Sequence, residues 1–249
     1  MRSDRSRIVV GIHPVRELLR AGRAVSRVSI AASRGASPLI DDIRSLAAQA
    51  EVPVDEVDRG TIDERAEGLV HQGVVAHAPP FPFVGLDELL GRIDASGTAT
   101  LLVAVDGVTD PHNLGSIARS AESFGAHGLL IPDRRAASIT PTVEKSAAGA
   151  LAHLPVVSVT NLVRTMAGLH DRGVWSIGLD ADGPVDLADS SLVAEPCLLI
   201  VGAEGDGMAR LTRERCDAVV RLPMRGAVAS LNASVAAGVA LYELARQRA

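Results

Sequence analysis

The 249-residue sequence is poor in several residue types on which particular protein classes depend. Its two cysteines, Cys197 and Cys216, are too few and too far apart for a disulfide framework, and neither has a Cys or His at zinc-ligand spacing. We expect both to be buried fillers and predict no metal site. Only five residues are aromatic, which excludes the stacking platform of an RRM or a typical OB-fold. Any RNA contact must therefore use mainly phosphates and shape.

Long apolar runs are also missing. Polar or charged residues interrupt each apolar stretch well before the ~20 residues that cross a bilayer, as Asp106 does after residues 101–105. The N-terminal residues carry charge but lack the apolar run and cleavage site of a secretory signal. We therefore expect no membrane contact and a cytoplasmic location.

The charge of the chain is unevenly distributed. The net charge is −5, which argues against a protein covered in nucleic-acid contacts, but residues 1–35 hold eight arginines and two acidic residues. This window carries +6 and leaves −11 for the remainder. Because the planar guanidinium donates two parallel hydrogen bonds to phosphate, we predict that the N-terminal domain holds RNA. A solvated helix face is the alternative for any single one of these arginines.

Apolar patterning predicts a small α/β domain over residues 1–78. Strands are expected near 8–11, 25–31, 52–57 and 73–77, with helices over 15–21 and 38–50. The proline-rich stretch 78–85 can continue neither a helix nor a central strand. We therefore predict a linker over residues 79–97, with a short helix near 86–93.

From residue 98 to residue 249 the pattern becomes regular. Apolar β-type runs occupy residues 100–105, 127–131, 155–159, 174–178, 197–201 and 218–222. Helical segments separate most of them, and a small-residue helix is expected over 231–248. This alternation predicts an α/β fold with a mainly parallel sheet and helices on both faces.

Three segments place glycines and polar side chains after predicted strands, where open α/β sheets bind ligands. The first contains Asn113 and Arg119, the second Glu204, and the third Ser230 and Asn232. Each has a plain structural interpretation: Asn113 as a helix cap with Arg119 on the surface, a flexible loop around Glu204, and Ser230 as a cap with Asn232 in a turn.

Known catalytic fingerprints do not fit these segments. The glycines at 202, 205 and 207 match neither G-x-G-x-x-G nor a P-loop, which argues against a dinucleotide-dependent dehydrogenase. The sequence has no G-x-S-x-G or H-E-x-x-H, so hydrolases and metalloenzymes rank low.

The same segments resemble the motifs of a known family. D-x-x-x-D-P-x-N-x-G-x-x-x-R (106–119), G-A-E-G-D-G-M (202–208) and L-P-M-x-G-x-V-x-S-L-N-x-S-V-A (222–236) are similar to the three motifs of the SpoU/TrmH RNA ribose 2'-O-methyltransferases. Leu222 stands where isoleucine is usual. The first 78 residues resemble the L30e-like substrate-binding domain of the branch that methylates guanosine in bacterial 23S rRNA.

This resemblance implies a C-terminal trefoil knot, a homodimer built across the knotted domain, and S-adenosylmethionine as the methyl donor. It implies that the cofactor is held by Gly202, Leu222, Met224 and Leu231. It further implies that the catalytic pocket is formed by Arg119, Asn113, Glu204, Ser230 and Asn232. In the family Arg119 would act as the base, although a guanidinium keeps its proton well above neutral pH; the alternative is that it grips the target phosphate and orients the hydroxyl.

Three other functions stay open on the sequence. The chain could be a catalytically silent rRNA-binding or ribosome-assembly factor, although its polar motif residues are intact. The same chemistry could also act on tRNA, or on another rRNA nucleotide as a means of antibiotic resistance.

Overall fold

The computed structural model describes residues 6–35, 37–134, 136–227 and 230–248. The chain divides into two compact units. The first comprises the chain up to Pro82 together with Ile139–His153, and the second comprises Phe83–Ser138 and the chain from Leu154 onward. Across the described ranges, no helix is both long enough and apolar enough to cross a bilayer.

The strands, in chain order, are β1 (Arg7–Val10), β2 (Arg27–Ala31), β3 (Val54–Val57), β4 (Val74–Ala78), β5 (Leu101–Asp106), β6 (Gly128–Pro132), β7 (Val156–Val159), β8 (Trp175–Leu179), β9 (Val185–Asp186), β10 (Cys197–Gly202) and β11 (Ala218–Arg221). The helices are α1 (Ile12–Arg20), α2 (Pro38–Gln49), α3 (Arg59–Arg65), α4 (Leu86–Ser96), α5 (Pro111–Ser123), α6 (Pro141–Ser146), α7 (Leu162–His170), α8 (Arg210–Glu214) and α9 (Ala233–Gln247). Short 3-10 turns lie at residues 32–34, 150–152 and 187–189.

The first unit is built on a four-stranded sheet in the order β1-β4-β2-β3. β4 is antiparallel to both of its neighbours, whereas β2 and β3 are parallel. Successive residues of β1 point to opposite faces of the sheet. Val9 packs in the core under α1 and α2, whereas Ile8 and Val10 pack with Ile62 of α3. The sheet is therefore covered on both sides, and all four strands predicted from the sequence are present.

The second unit contains a seven-stranded parallel sheet in the order β7-β6-β5-β10-β8-β11-β9. The six predicted strands are confirmed with boundaries within about one residue, because fully buried strands carry continuous apolar runs. β9 was not predicted, since two residues at the sheet edge leave no pattern. The α/β class with a mainly parallel sheet is confirmed.

Two segments differ from the boundaries drawn on the sequence. Residues 86–96, placed in the linker, form α4, and its buried Leu89, Leu90 and Ile93 belong to the core of the second unit. Residues 139–153, placed in the C-terminal domain, pack with the first unit through α6 and the turn after it. The proline-rich stretch before residue 86 marks a linker, but no pattern within either segment marks which unit it joins.

Helices α5 and α9 of the second unit pack against each other in parallel. The ring of Phe124 meets that of Tyr242 edge to face, with 5.9 Å between centroids. One turn back, a Cβ on Gly238 would lie 3.3 Å from the Ser120 hydroxyl, so this glycine permits the close approach. The two helices remain side by side up to their first turns, so their N-termini lie close together.

Several of the N-terminal arginines are paired with acidic residues in the folded chain. Arg16 and Arg20 both bind Asp42, at 2.5 and 2.8 Å, and Arg27 binds Asp55 at 2.8 Å. Asp42 and Asp55 both lie outside residues 1–35, the range over which the charge of +6 is counted. The local charge of +6 therefore overstates the positive field that this unit can offer RNA.

A buried ion pair joins β1 to α6. The Arg7 guanidinium lies 3.1 Å from the Glu144 carboxylate, whose side chain is 7% exposed, and it stacks over the Phe81 ring at 5.1 Å from the centroid. Burial raises the pKa of Glu144 to about 7 against the attraction of Arg7, and burial also lowers the pKa of Arg7. The free-energy cost of removing these two charges from water is therefore larger than the Coulomb attraction between them.

This pair predicts a pH dependence of stability. A carboxyl group whose pKa is higher in the folded state stabilises the fold at low pH and loses that contribution as the pH rises from 4.5 toward about 7. From about pH 5 to about pH 8, the free energy of unfolding of the wild type should fall by about 2 kcal/mol more than that of Glu144→Gln, as measured by urea titration.

Glu243→Gln is the matched control. Hydrogen bonds from Arg246 and Gln247 lower the pKa of Glu243 to about 2, so its titration falls outside this range. An equal pH dependence in the wild type and in Glu144→Gln would contradict the assignment.

Candidate functional site

The three polar segments meet at the carboxyl edge of the parallel sheet, and the first two follow neighbouring strands. β5 and β10 are paired so that Asp106 lies beside Gly202, and each strand leads directly into one of the segments. The Asp106 carboxylate accepts a hydrogen bond from the backbone N–H of Ala209 at 2.9 Å, which ties the first segment to the second.

The first segment begins α5 earlier than the sequence suggested. Asp110 is the N-cap and accepts from the N–H of His112 at 2.9 Å, and Pro111 occupies the first turn. The interpretation of Asn113 as the cap is therefore wrong. Its side chain is instead buried, at 6% exposure, and faces the other two segments.

The second segment is a tight turn rather than a loose loop. Ala203 and Gly207 exchange two backbone hydrogen bonds of 2.9 and 3.0 Å, and Gly205 at the tip has a φ of 85°. A Cβ on Gly202 would lie 2.3 Å from the carbonyl carbon of Gly207, so no larger residue fits there. The turn holds Glu204 at a fixed position.

The third segment caps α9 with Asn232, not with Ser230. The Asn232 Oδ1 accepts from the N–H groups of Ser234 and Val235, at 2.9 and 3.4 Å. Because this oxygen faces the helix, the Nδ2 group points away from it and donates to Asn113 Oδ1 at 3.0 Å and to Glu204 Oε2 at 3.2 Å.

Asn113, Glu204 and Asn232 thus form one hydrogen-bonded cluster. Asn113 Nδ2 completes it by donating to Glu204 Oε2 at 3.3 Å. Both donors to Glu204 are neutral amides. They hold the carboxylate in place without cancelling its charge, as an arginine partner would.

A cleft of about 300 Å³ adjoins this cluster. All four residues proposed to hold the cofactor line it, as do Glu204 and Ser230. Its apolar wall includes Met224 and Leu231, which are 39% and 38% exposed, so a bound ligand would cover apolar surface now open to water. The described lining residues are Leu179, Asp180, Ala181, Asp182, Val201, Gly202, Ala203, Glu204, Gly205, Asp206, Gly207, Leu222, Met224, Ser230, Leu231, Ala233 and Ala236.

The loop after β8 was missed on the sequence. It contributes Asp180 and Asp182 to the cleft, and Asp180 binds Arg213 at 3.0 Å. The available signal was the position of this loop at the end of another parallel strand, but it has no glycine pattern that would have singled it out.

Arg119 lies outside both the cluster and the lining of the cleft. It is exposed on α5, and within the described ranges it forms no ion pair. Six residues separate it from Asn113, which turns it about 120° away around the helix. Its exposed side chain matches the plain structural interpretation of Arg119 as a surface arginine.

The cysteines take no part in the site. Cys197 is buried in β10, and Cys216 is partly buried with its thiol near the Thr212 carbonyl at 3.3 Å. Burial raises the pKa of both thiols, that of Cys216 to about 12, so neither is a nucleophile near neutral pH.

The fold and cleft define an α/β enzyme with a ligand site at the carboxyl edge of a parallel sheet. The family model described as "SpoU rRNA Methylase family" matches residues 100–242, and the model for RNA 2'-O ribose methyltransferase substrate binding matches residues 8–84. The chain belongs to the SpoU rRNA methylase family, and it is an RNA methyltransferase of that family.

Similar proteins agree with this family. The chain is 44% identical over 247 residues to an uncharacterized tRNA/rRNA methyltransferase of Mycobacterium sp. (strain KMS), covering 99% of this chain and 78% of the relative. The SpoU methyltransferase AviRb from Streptomyces viridochromogenes, solved with AdoMet, is 31% identical with a TM-score of 0.79, over 97% of this chain and 90% of that one. An AdoMet-bound rRNA methyltransferase from Sinorhizobium meliloti shares the fold at 22% identity, with a TM-score of 0.78, over 98% and 88% of the two chains.

The cluster predicts a specific effect of Asn232→Asp. Aspartate still caps α9, but it replaces the amide donor with an oxygen that faces Glu204 and Asn113. Repulsion and the lost donor should reduce the free energy of unfolding by about 1–3 kcal/mol and lower RNA methyl transfer. Thermal unfolding and methyl transfer to RNA measure these effects.

Ser234→Ala is the control, because it removes only one hydroxyl bond to Asn232. A fully stable and active Asn232→Asp would show that the cluster does not organise the site.

Proposed function

We propose that this enzyme transfers a methyl group from S-adenosylmethionine to the ribose 2'-hydroxyl of a guanosine in 23S rRNA, in the cytoplasm. The observation that carries the proposal is the convergence of Asn113, Glu204 and Asn232 beside the cleft. The rRNA methylase description of the matching family and the substrate-binding match over residues 8–84 support the choice of substrate.

The residues of the cleft suit this cofactor. Met224, Leu231 and Leu222 offer apolar surface for an adenine ring, and Gly202 lets the backbone approach a ligand closely. When bound, S-adenosylmethionine supplies an electrophilic methyl group on a sulfonium. The protein must hold the ribose oxygen in line with that methyl group and exclude water, which is how positioning lowers the barrier. We assign this shaping of the pocket to Asn113, Glu204, Ser230 and Asn232.

Arg119 is proposed to contact the phosphate of the target nucleotide and so to orient its 2'-hydroxyl. The support is its exposure and the lack of a carboxylate partner within the described ranges. The planar guanidinium donates two parallel hydrogen bonds to a phosphate, and this geometry suits the proposed contact. The proton of the hydroxyl would then leave through water.

We also propose that the enzyme is a homodimer through its C-terminal domain. Val235, Val239 and Tyr242 are 50%, 46% and 56% exposed, and their spacing of four and three residues places them on one face of α9. Such a stripe is typical of a helix that packs against another chain. A second copy of this chain is the proposed occupant.

The stripe predicts that Val239→Asp shifts the protein from dimer to monomer, because burying a carboxylate in an apolar interface costs several kcal/mol. Light scattering after size exclusion measures the mass. Val70→Asp serves as the control, since Val70 is 67% exposed in the first unit. A wild type that is monomeric at micromolar concentration would refute the dimer.

The substrate is tested by mapping ribose methylation in 23S rRNA from cells with the gene, without it, and with Arg119→Ala. One guanosine should lose its methyl group without the gene, and Arg119→Ala should reduce transfer about 10- to 100-fold while cofactor binding is retained. Arg164→Ala, which alters another exposed arginine of the second unit, is the control.

Unchanged 23S rRNA with a lost methyl group in tRNA would move the substrate to tRNA. No lost methyl group in any RNA, together with no binding of S-adenosylmethionine, would leave an assembly role. Near-normal transfer by Arg119→Ala would remove this residue from the site.

A further inference from the structure

The cleft that is proposed to hold S-adenosylmethionine is lined by acidic groups. Asp180, Asp182, Glu204 and Asp206 all line it, and none of its described lining residues is Arg, Lys or His. The four carboxylates come from two turns, the one after β8 and the one after β10, on adjacent parallel strands.

Two of these carboxylates are already engaged. Asp180 forms an ion pair with Arg213 at 3.0 Å, and Glu204 accepts hydrogen bonds from two amides. The carboxylates of Asp182 and Asp206 are exposed, and in the described parts of the chain neither forms a salt bridge. Asp182 is held through its backbone, whose N–H donates to Asp180 at 2.8 Å.

Methyl transfer changes the charge of the bound molecule. The donor carries a sulfonium and an ammonium against one carboxylate, which leaves one net positive charge. When the ribose oxygen bonds to the methyl carbon, the electrons of the C–S bond return to sulfur, and the product S-adenosylhomocysteine is a net neutral thioether. A carboxylate near the cleft therefore attracts the donor more strongly than the product.

We propose that Asp182 and Asp206 give the cleft its preference for the cationic donor over the neutral product. This inference rests on the proposed function. Both carboxylates are exposed, so water and salt screen their charges. Each therefore contributes only modestly to the preference for the donor. The shape of the cleft binds parts common to donor and product, whereas these two charges distinguish the sulfonium from the thioether.

The preference has a consequence for turnover. Once the sulfonium charge is lost, the product gains less from the carboxylates of Asp182 and Asp206 and leaves more readily than the donor. These two carboxylates thus oppose product inhibition by S-adenosylhomocysteine, which differs from the donor only by the methyl group and its charge.

The test measures the dissociation constants of S-adenosylmethionine and S-adenosylhomocysteine by calorimetry on the full chain. Asp182→Asn and Asp206→Asn should each weaken donor binding about three- to fivefold and the double variant about tenfold, with product binding changed less than about twofold. Raising salt from about 0.05 to about 0.5 M should weaken donor binding in the wild type more than in the double variant.

Asp189→Asn is the matched control, because it removes one exposed carboxylate that does not line the cleft. Thermal unfolding checks that each variant is folded. Equal weakening of donor and product would overturn the inference, and so would unchanged binding of both. If the wild type bound neither molecule, the proposed function itself would fail, which separates the two outcomes.

Discussion

The site depends on one carboxylate held by two neutral amides. Glu204 accepts from Asn113 and Asn232, so three segments that are far apart in the chain meet at a single oxygen. Asn232 is also the cap of α9, and therefore the start of that helix cannot move without disturbing the cluster. The N-terminus of α9, where the helix dipole is positive, lies next to the Glu204 carboxylate.

Close backbone approach makes this meeting possible. A Cβ on Gly202 would collide with the turn that carries Glu204, and a Cβ on Gly178 would lie 2.7 Å from the Met208 methyl group. Strand β10 thus needs a glycine at residue 202 to admit the segment 202–208, whereas a Cβ at residue 178 of β8 would require the Met208 side chain to move. A rigid turn results, and it presents Glu204 inward and Asp206 toward the rim.

The sequence predicted the strands well because buried parallel strands are continuous apolar runs. It predicted caps poorly, because Asp110 and Asn113 are equally good cap residues and only the start of α5 decides between them. The short α3, with Ile62 as its one buried side chain, left no periodicity. The charge counted over residues 1–35 overstated the positive field, because acidic partners of these arginines, such as Asp42, lie outside that range. The candidate site residues were singled out by their position after predicted strands, and the resemblance to family motifs supplied their proposed roles.

The proposed methyl donor is a cation and the proposed RNA substrate is a polyanion. The two ligands therefore need groups of opposite charge, which lie in different parts of the structure. A cleft lined by carboxylates attracts a cationic donor, but it repels the phosphates of RNA. Affinity for RNA must therefore come from groups outside the cleft whose charge is not already neutralised. Arg119 meets that condition because it is exposed and faces away from the cluster, whereas Arg16 and Arg20 do not, because Asp42 binds both. We therefore expect RNA to contact arginines that have no acidic partner among the described residues, and not simply the part of the sequence where arginines are densest.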